Sequence, residues 1–348
     1  MTGHAIRELA RDCGFELAGV ARATPAPDFA RYAEWVAAGF AGEMGYLRDH
    51  RAALRDDARK LLPAARSVIC VGKVYNTTLP YSTRFDEPER AWIARYAWGD
   101  DYHDLVRRGL ERLEAMLRER AERGSSYQSR ICVDTAPLLE RSYARAAGLG
   151  WIGKNTCLIN QREGSWFFLG ELLTSLVIDP DSPPPDRCGS CTRCIDACPT
   201  SAIVPAGDGF AVDSRRCISY FTIELRSAIP EEWRAAMGKH VFGCDICQDV
   251  CPWNRRAAVT QNSAFAPREF APPLEKLAAL SETEFRAMFL GSPVTRAKYP
   301  GFLRNVAVAM GSLGRPEFRE PLERLAQSEN ALVAEHARWA LAQLEQPV

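Results

Sequence analysis

Residues Cys188-Gly-Ser-Cys191-Thr-Arg-Cys194-Ile-Asp-Ala-Cys198-Pro199 set four cysteines at Cys-x2-Cys-x2-Cys-x3-Cys spacing and close the run with proline. Runs of this spacing hold 4Fe–4S clusters, and where two clusters are present the fourth cysteine serves the other one. A second run, Cys244-x2-Cys247-x3-Cys251-Pro252, is one cysteine short, and Cys217 stands alone between the two. Two cubane clusters need eight thiolates, and eight cysteines lie between Cys188 and Cys251. The expected partition is Cys188, Cys191, Cys194 and Cys251 on one cluster, with Cys198, Cys217, Cys244 and Cys247 on the other. Two intervening residues let successive thiolates converge on neighbouring irons, while the proline redirects the chain. Zinc is the competing metal, because Cys-x2-Cys pairs also build zinc sites. Those sites close with two separate pairs, whereas here four cysteines overlap in one run.

Outside this module the chain reads as an ordinary globular protein of 348 residues, 47% hydrophobic and 25% charged, with zero formal net charge. A balanced charge advertises no global field for nucleic acid or membrane, so any such partner must be met by a local patch. The N-terminus reads as an amphipathic helix over Met1–Phe15 with no apolar signal core, and the longest apolar run, Trp166–Ile178, is interrupted by Glu171. A cytoplasmic protein is the expectation. In a reducing compartment clustered cysteines are metal ligands rather than disulfides. The four remaining cysteines, Cys13, Cys70, Cys132 and Cys157, read as small buried hydrophobes.

Before the cysteine module, helical and strand signals alternate. Strands are expected over Glu16–Arg22, Ser67–Tyr75 and Ser129–Val133, and helices over His103–Arg123 and Leu138–Ala147. Cys157–Asn160 and Trp166–Ile178 read as a hairpin turning at Glu163-Gly164. The proline-rich Asp179–Asp186 marks a boundary, and Arg255–Pro273 a second linker. Amphipathic helices follow over Phe302–Gly311, Glu317–Gln327 and Ala331–Leu344, patterned like a short piece of HEAT-type repeat or a plain helical cap. The fold class is α+β or α/β in three parts: a mixed α/β domain over 1–180, a bacterial ferredoxin-like two-cluster domain over 181–256, and a helical HEAT-like region over 257–348.

Neighbouring clusters conduct electrons but do not name a reaction. Three further stretches do. Val133-Asp134-Thr-Ala-Pro-Leu-Leu-Glu-Arg141 continues to Gly148 and Gly150-Trp-Ile-Gly-Lys-Asn155; Tyr96-Ala97-x-Gly99-x-Asp101-Tyr102-His103 precedes it; Cys217-Ile-Ser-Tyr-Phe-Thr-Ile-Glu224 follows it. In this order, and with the eight cysteines, they resemble the signature of epoxyqueuosine reductases over nearly the whole chain. The resemblance implies two 4Fe–4S clusters and a cobalamin, and reduction of the epoxide on the modified anticodon guanosine of a tRNA to an alkene in queuosine synthesis. It implies Asp134 as proton donor, and cobalamin contacts at Ala97, Asp134, Arg141, Lys154, Asn155, Leu158, Leu169 and Ser219. Asp101-Tyr-His103 is similar to the start of a D-x-H-x-x-G cobalt-ligand motif, but Val106 occupies the glycine position, so no histidine from it is expected on cobalt.

Read by themselves, the same residues have plainer roles. Asp-x-x-Pro between strand and helix is N-cap chemistry. An acid acting at neutral pH would need a raised pKa, which burial would favour. Gly150–Asn155 lacks the G-x-x-x-x-G-K-[ST] order of a phosphate loop. For tRNA, Arg215, Arg216, Arg296, Lys298 and Arg304 are the candidate phosphate contacts, the stretch from Arg286 to Arg304 carrying no acidic residue. A reductant protein is the other expected partner, and the chain is expected to act as a monomer without a membrane. Two rival readings share the cysteines: a non-catalytic iron–sulfur electron-transfer subunit, and a cobalamin enzyme like the reductive dehalogenases.

Overall fold

The structure, a computed structural model, describes residues 1–121 and 126–345. Four antiparallel strands, β1 (Leu17–Arg22), β2 (Ser67–Val74), β3 (Ser129–Cys132) and β4 (Phe167–Thr174), form a sheet in the order β1-β2-β4-β3. The central place of β4 follows from its sequence: an apolar run with no alternation can be buried on both faces only between two other strands. All of β4 except Leu169 is buried. On one face lie α1 (Gly3–Asp12) and α2 (Tyr102–Arg120), where Val106, Leu110, Leu113 and Leu117 recur at helical spacing and meet Ile69, Val71 and Leu172. Each fully buried leucine of that stripe contributes about 1.5–3 kcal/mol by leaving water. On the other face α3 (Glu140–Ala146) brings Tyr143 and Ala144 against Cys70, Cys132 and Leu173.

The hairpin expected between Cys157–Asn160 and Trp166–Ile178 forms only as its turn, where Asn160 and Gly164 exchange backbone hydrogen bonds, and the two strands do not pair. Leu158–Ile159 pairs instead with Trp151–Ile152, and β4 pairs with β2 and β3. The short strand cannot cover a two-faced apolar strand eight residues long, whereas β2 can. The helix expected from His103 begins at Tyr102 and runs to Arg120; positions 122 and 123 of that expectation lie outside the described residues.

The proline-rich Asp179–Asp186 is tied down rather than free: Asp181 accepts hydrogen bonds from the Val20 N–H at 3.0 Å and from Arg7 at 2.7 Å. The cysteine region contributes α4 (Ile218–Ile223) and the helical region α5 (Tyr299–Leu313), α6 (Arg319–Ala326) and α7 (Ala331–Leu344), with α5 buried without interruption from Gly301 to Gly311. Its shell includes the short parallel pair Trp92–Ile93 and His240–Phe242, so one hydrophobic core holds residues from all three regions. Gly311 is needed for the α5–α7 approach, since a Cβ there would lie 2.7 Å from the Ala340 Cα. Among the described residues no helix is long and apolar enough to cross a membrane.

Candidate functional site

The cysteine module brings its thiols together in two groups. Cys188, Cys191, Cys194 and Cys251 line one cavity of about 230 Å³, with Lys154, Arg187 and Arg193 at its wall. Cys198, Cys217 and Cys244 influence one another electrostatically, as do Cys217, Cys244 and Cys247. Backbone N–H groups aim at these sulfurs: Ala202 N–H lies 3.3 Å from the Cys198 Sγ, and those of Ser219 and Tyr220 point to Cys217, Ile246 to Cys244 and Trp253 to Cys251. Burial pushes the Cys194 and Cys251 thiols up to about 11, a cost that bound iron removes by taking the thiolate. Convergent thiols ringed by N–H donors fit a pair of clusters, whose bridging and terminal sulfurs take such hydrogen bonds.

Of the other cysteines, Cys13, Cys70 and Cys132 are buried in the first region's cores. Cys157 differs from the expectation: its thiol hydrogen-bonds to Cys247 beside the second thiol group. It sits at the tip of the hairpin that joins Trp151–Ile152 to Leu158–Ile159. The same tip reaches both ways. Asn155 Nδ2 donates to the Cys247 carbonyl at 3.3 Å, while Arg141 on α3 donates to the Thr156 carbonyl. The hairpin therefore bridges the second thiol group to the loop that carries Asp134.

That loop leaves β3 with Asp134 at φ 51°, a left-handed conformation costly for a non-glycine residue. Thr156, at φ 62°, and Lys298, at φ 60°, share the condition. Asp134 is not the N-cap of α3, whose preceding residue is Leu139. Its carboxylate instead faces His103 Nε2 at 3.2 Å, and the other ring nitrogen meets Asp101 at 2.6 Å. Tyr102 stacks on Phe168 at 4.1 Å and on His103 at 4.3 Å, fixing the imidazole plane. The hydrogen bonds from Asp101 and Asp134 push His103 up to about 9. For Asp134 burial works toward a higher pKa, but the His103 hydrogen bond and charge, with Arg296 beyond, hold it below the ordinary carboxylate range. The hydrogen-bonded pair therefore keeps its proton on His103.

Beside Asp134 opens a cavity of about 330 Å³ lined by Glu43, Met44, Tyr46, Glu224, Arg226, Arg296 and Lys298. Arg296 donates to Glu224 at 2.6 Å. Both ring nitrogens of His103 are taken by carboxylates. Lys298 at the wall of this open polar cavity and Asp134 beside it both hold strained backbone, which fits a site shaped around a cofactor.

The remaining expected residues are spread over several elements. Lys154 donates to the carbonyls of Gly189 and Cys191 at 2.7 and 3.1 Å, so it braces the first cysteine loop and not a corrin. Ala97 is 2% exposed, and its carbonyl accepts from Ser292. Leu158 is buried in the sheet's core, and Leu169 is partly buried against that core. Ser219, half-buried at the start of α4, lends its N–H to Cys217. Arg304 is no RNA contact: it is 1% exposed and donates to the carbonyls of Phe221, Leu225 and Ser227, closing the C-terminal end of α4. The stretch that looked free of acids is neutralised from just outside it, Arg286 by Glu282 one turn earlier on the same helix and Arg296 by Glu224 from a distant segment. Arg215 pairs with Asp213 at 2.9 Å, and Arg216 approaches it at 3.9 Å. Lys298 has no ion-pair partner among the described residues. Sequence reading missed Tyr46, which no local pattern marks, gave no role to Glu140 and Glu224 although both lie inside the quoted motifs, and treated Glu171 only as a break in an apolar run. An acid in the middle of a buried strand was the available signal.

The family described as "4Fe-4S double cluster binding domain" matches residues 187–254, and "Epoxyqueuosine reductase QueG, DUF1730" matches residues 55–135. The chain is 43% identical over 344 residues to the epoxyqueuosine reductase of Xanthomonas campestris pv. campestris, covering 97% of this chain and 95% of that one. It is 38% identical over 341 residues to that of Escherichia coli, covering 97% and 88%. Its structure is similar to a crystal structure of epoxyqueuosine reductase with an epoxyqueuosine-modified tRNA-Tyr stem loop, with a TM-score of 0.88, 29% identity and 99% and 90% of the two chains covered. A Bacillus subtilis epoxyqueuosine reductase, caught with its catalytic aspartate loop swung out of the active site, matches with a TM-score of 0.77 at 28% identity over 98% of each chain.

Proposed function

The chain belongs to the epoxyqueuosine reductase family, and from that premise we propose how its own residues reduce epoxyqueuosine to queuosine at the wobble position of a tRNA. The enzyme takes two 4Fe–4S clusters and cobalamin. When bound, the clusters supply single electrons and cobalamin the reduced, nucleophilic metal that opens the epoxide. The protein binds, orients and protonates.

The observation that carries this reading is the unbroken run of contacts from Cys247 through Asn155, Thr156 and Arg141 to the Asp134 loop. It sets the second cluster's ligands beside the acid, with the open cavity next to it. The modified nucleoside enters that cavity, where Glu224, Arg296 and Tyr46 offer acceptors and donors to its hydroxyls. Phosphates of the anticodon loop lie against Lys298, Arg215 and Arg216. His103, protonated at neutral pH, holds the proton through Nε2 against Asp134 Oδ2. Asp134 takes the proton from His103 and passes it to the departing oxygen; with a second proton drawn from water and the two electrons from the clusters, the oxygen leaves as water and the alkene remains. Arg141, Asn155, Leu169 and Ser219 border the corrin space, and Ala97 and Leu158 back it from the core.

Cys188, Cys191, Cys194 and Cys251 hold the outer cluster; Cys198, Cys217, Cys244 and Cys247 hold the inner one. Electrons enter at the outer cluster, from a reductant protein docking on the exposed Arg187 and Arg193. The units 1–180, 181–256 and 257–348 are cobalamin, cluster and HEAT-like regions, acting as a monomer in the cytoplasm. The test is anaerobic reconstitution with iron, sulfide and cobalamin, then incubation with epoxyqueuosine-bearing tRNA and a reductant. Loss of one oxygen from the nucleoside is the expected result; iron uptake without cobalamin uptake or turnover overturns it. Asp134→Asn should keep corrin binding while turnover falls by about 10²-fold or more.

A further inference from the structure

Glu171 lies in the middle of the central strand β4, opposite Cys70 of β2 and Cys132 of β3 in the register. It is 0% exposed, and neither carboxyl oxygen has a hydrogen-bond donor among the described residues. An ionised carboxylate in that setting, with no cation and no donor, would cost several kcal/mol. The carboxyl that acts on it most strongly is that of Glu140, the first residue of α3. Glu140 in turn accepts the backbone N–H of Asp134 on Oε1 at 2.6 Å. This is the bond that meets the strained Asp134 peptide.

We propose that Glu171 is a positioning residue for the proton donor: one proton shared between Glu171 and Glu140 aims Glu140 at the Asp134 N–H and so holds the Asp134 loop in the site. The inference rests on the reading of Asp134 as the acid. Two carboxyls side by side cannot both ionise in a buried setting, so the pair keeps one proton and one negative charge. The proton lies between the two acids and the remaining charge strengthens acceptance of the Asp134 N–H. Loss of the shared proton puts two charges together; Glu140, half-exposed, turns toward water and lets go of the loop.

The groups facing this pair leave it as the titrating element. Cys70 and Cys132 flank Glu171 from the neighbouring strands, and burial pushes both thiols up, Cys132 to about 12. Tyr143 on α3, raised by burial to about 12, and Tyr102 on α2, raised further, also stay neutral. Asp134 raises both glutamates by repulsion, and Arg141 is the nearest cation acting on Glu140. Burial first, then the Asp134 charge, brings Glu140 to about 7. Glu171, the more deeply buried, is pushed higher still, so Glu140 ionises first: the shared-proton state forms as pH rises through neutrality, and the latch opens only where Glu171 also gives up its proton.

The readout is hydrogen exchange at the Asp134 amide in the full-length reconstituted protein, with infrared detection of protonated carboxyl. In the wild type, protection of that amide, corrected for intrinsic base catalysis, should rise on the order of tenfold between about pH 6 and pH 8 as Glu140 ionises. Glu171→Gln supplies a permanent amide donor to Glu140, so protection should persist across the range and the acid's infrared band should vanish. Glu171→Leu should lose protection at both ends, which Glu171→Gln rescues. Equal protection in wild type and Glu171→Leu overturns the proposal, as does an infrared spectrum unchanged by Glu171→Gln. Neither result depends on turnover. If Asp134→Asn reduces epoxyqueuosine normally, the reading of Asp134 as acid fails while the latch measurement still stands or falls alone.

Discussion

Replacing His103 by glutamine removes the one titrating group between Asp101 and Asp134 while keeping a side-chain amide able to donate to one of them. His103 reaches about 9 in the folded protein against an ordinary 6.5, because both ring N–H groups face carboxylates. A folded pKa above the unfolded one stabilises fully below the unfolded value, and that contribution is lost as pH rises through the folded one. One pKa unit corresponds to about 1.4 kcal/mol. The ring is 30% exposed, so solvent screening reduces the total to about 2 kcal/mol. Urea denaturation of anaerobic protein, measured at steps from about pH 6 to about pH 10, should show wild type losing roughly that much more stability than His103→Gln. On the acid side the sign reverses: Asp101 and Asp134 are held low, so their contribution is present above the ordinary carboxylate range and disappears as pH falls through it. Single-turnover reduction by the holoenzyme should fall in His103→Gln, most steeply where the imidazolium was the proton source. Parallel stability curves for the two proteins across the alkaline range would refute the account of a stored proton.

Cys251→Ser should lose the outer cluster, leaving about half the iron per chain by metal analysis, with turnover by protein donors abolished. Arg304→Leu strands three buried carbonyls and should destabilise the chain by on the order of 3–5 kcal/mol in chemical denaturation, without weakening tRNA binding by the folded fraction. The double variant Arg187→Glu with Arg193→Glu should slow cluster reduction by an acidic electron carrier at least about tenfold at low salt, an effect that added salt erases. Reduction of the same variant by dithionite should be little changed; an equal loss with both reductants would show damage to the cluster itself.

The cysteine spacing was legible because its physics is local. A thiolate two residues from the next is within reach of the same cluster whatever the rest of the chain does, and proline ends the run by its own geometry. The stripe Val106, Leu110, Leu113 and Leu117 was legible in the same way, since helical periodicity is written in the residues that make it. The motif around Asp134 was visible as a pattern, but not its electrostatics. Which residue bears the proton depends on His103, thirty-one positions earlier, being folded against it. Arg304 and Lys154 looked like free cations, and only packing revealed that carbonyls from distant segments already occupy them. The strand pairing of β4 likewise followed from competition among partners rather than from proximity along the chain. Charge and register are properties of what surrounds a residue. The chain by itself determined the ligands and the periodic elements; the environment that sets each group's protonation and availability came only with the fold.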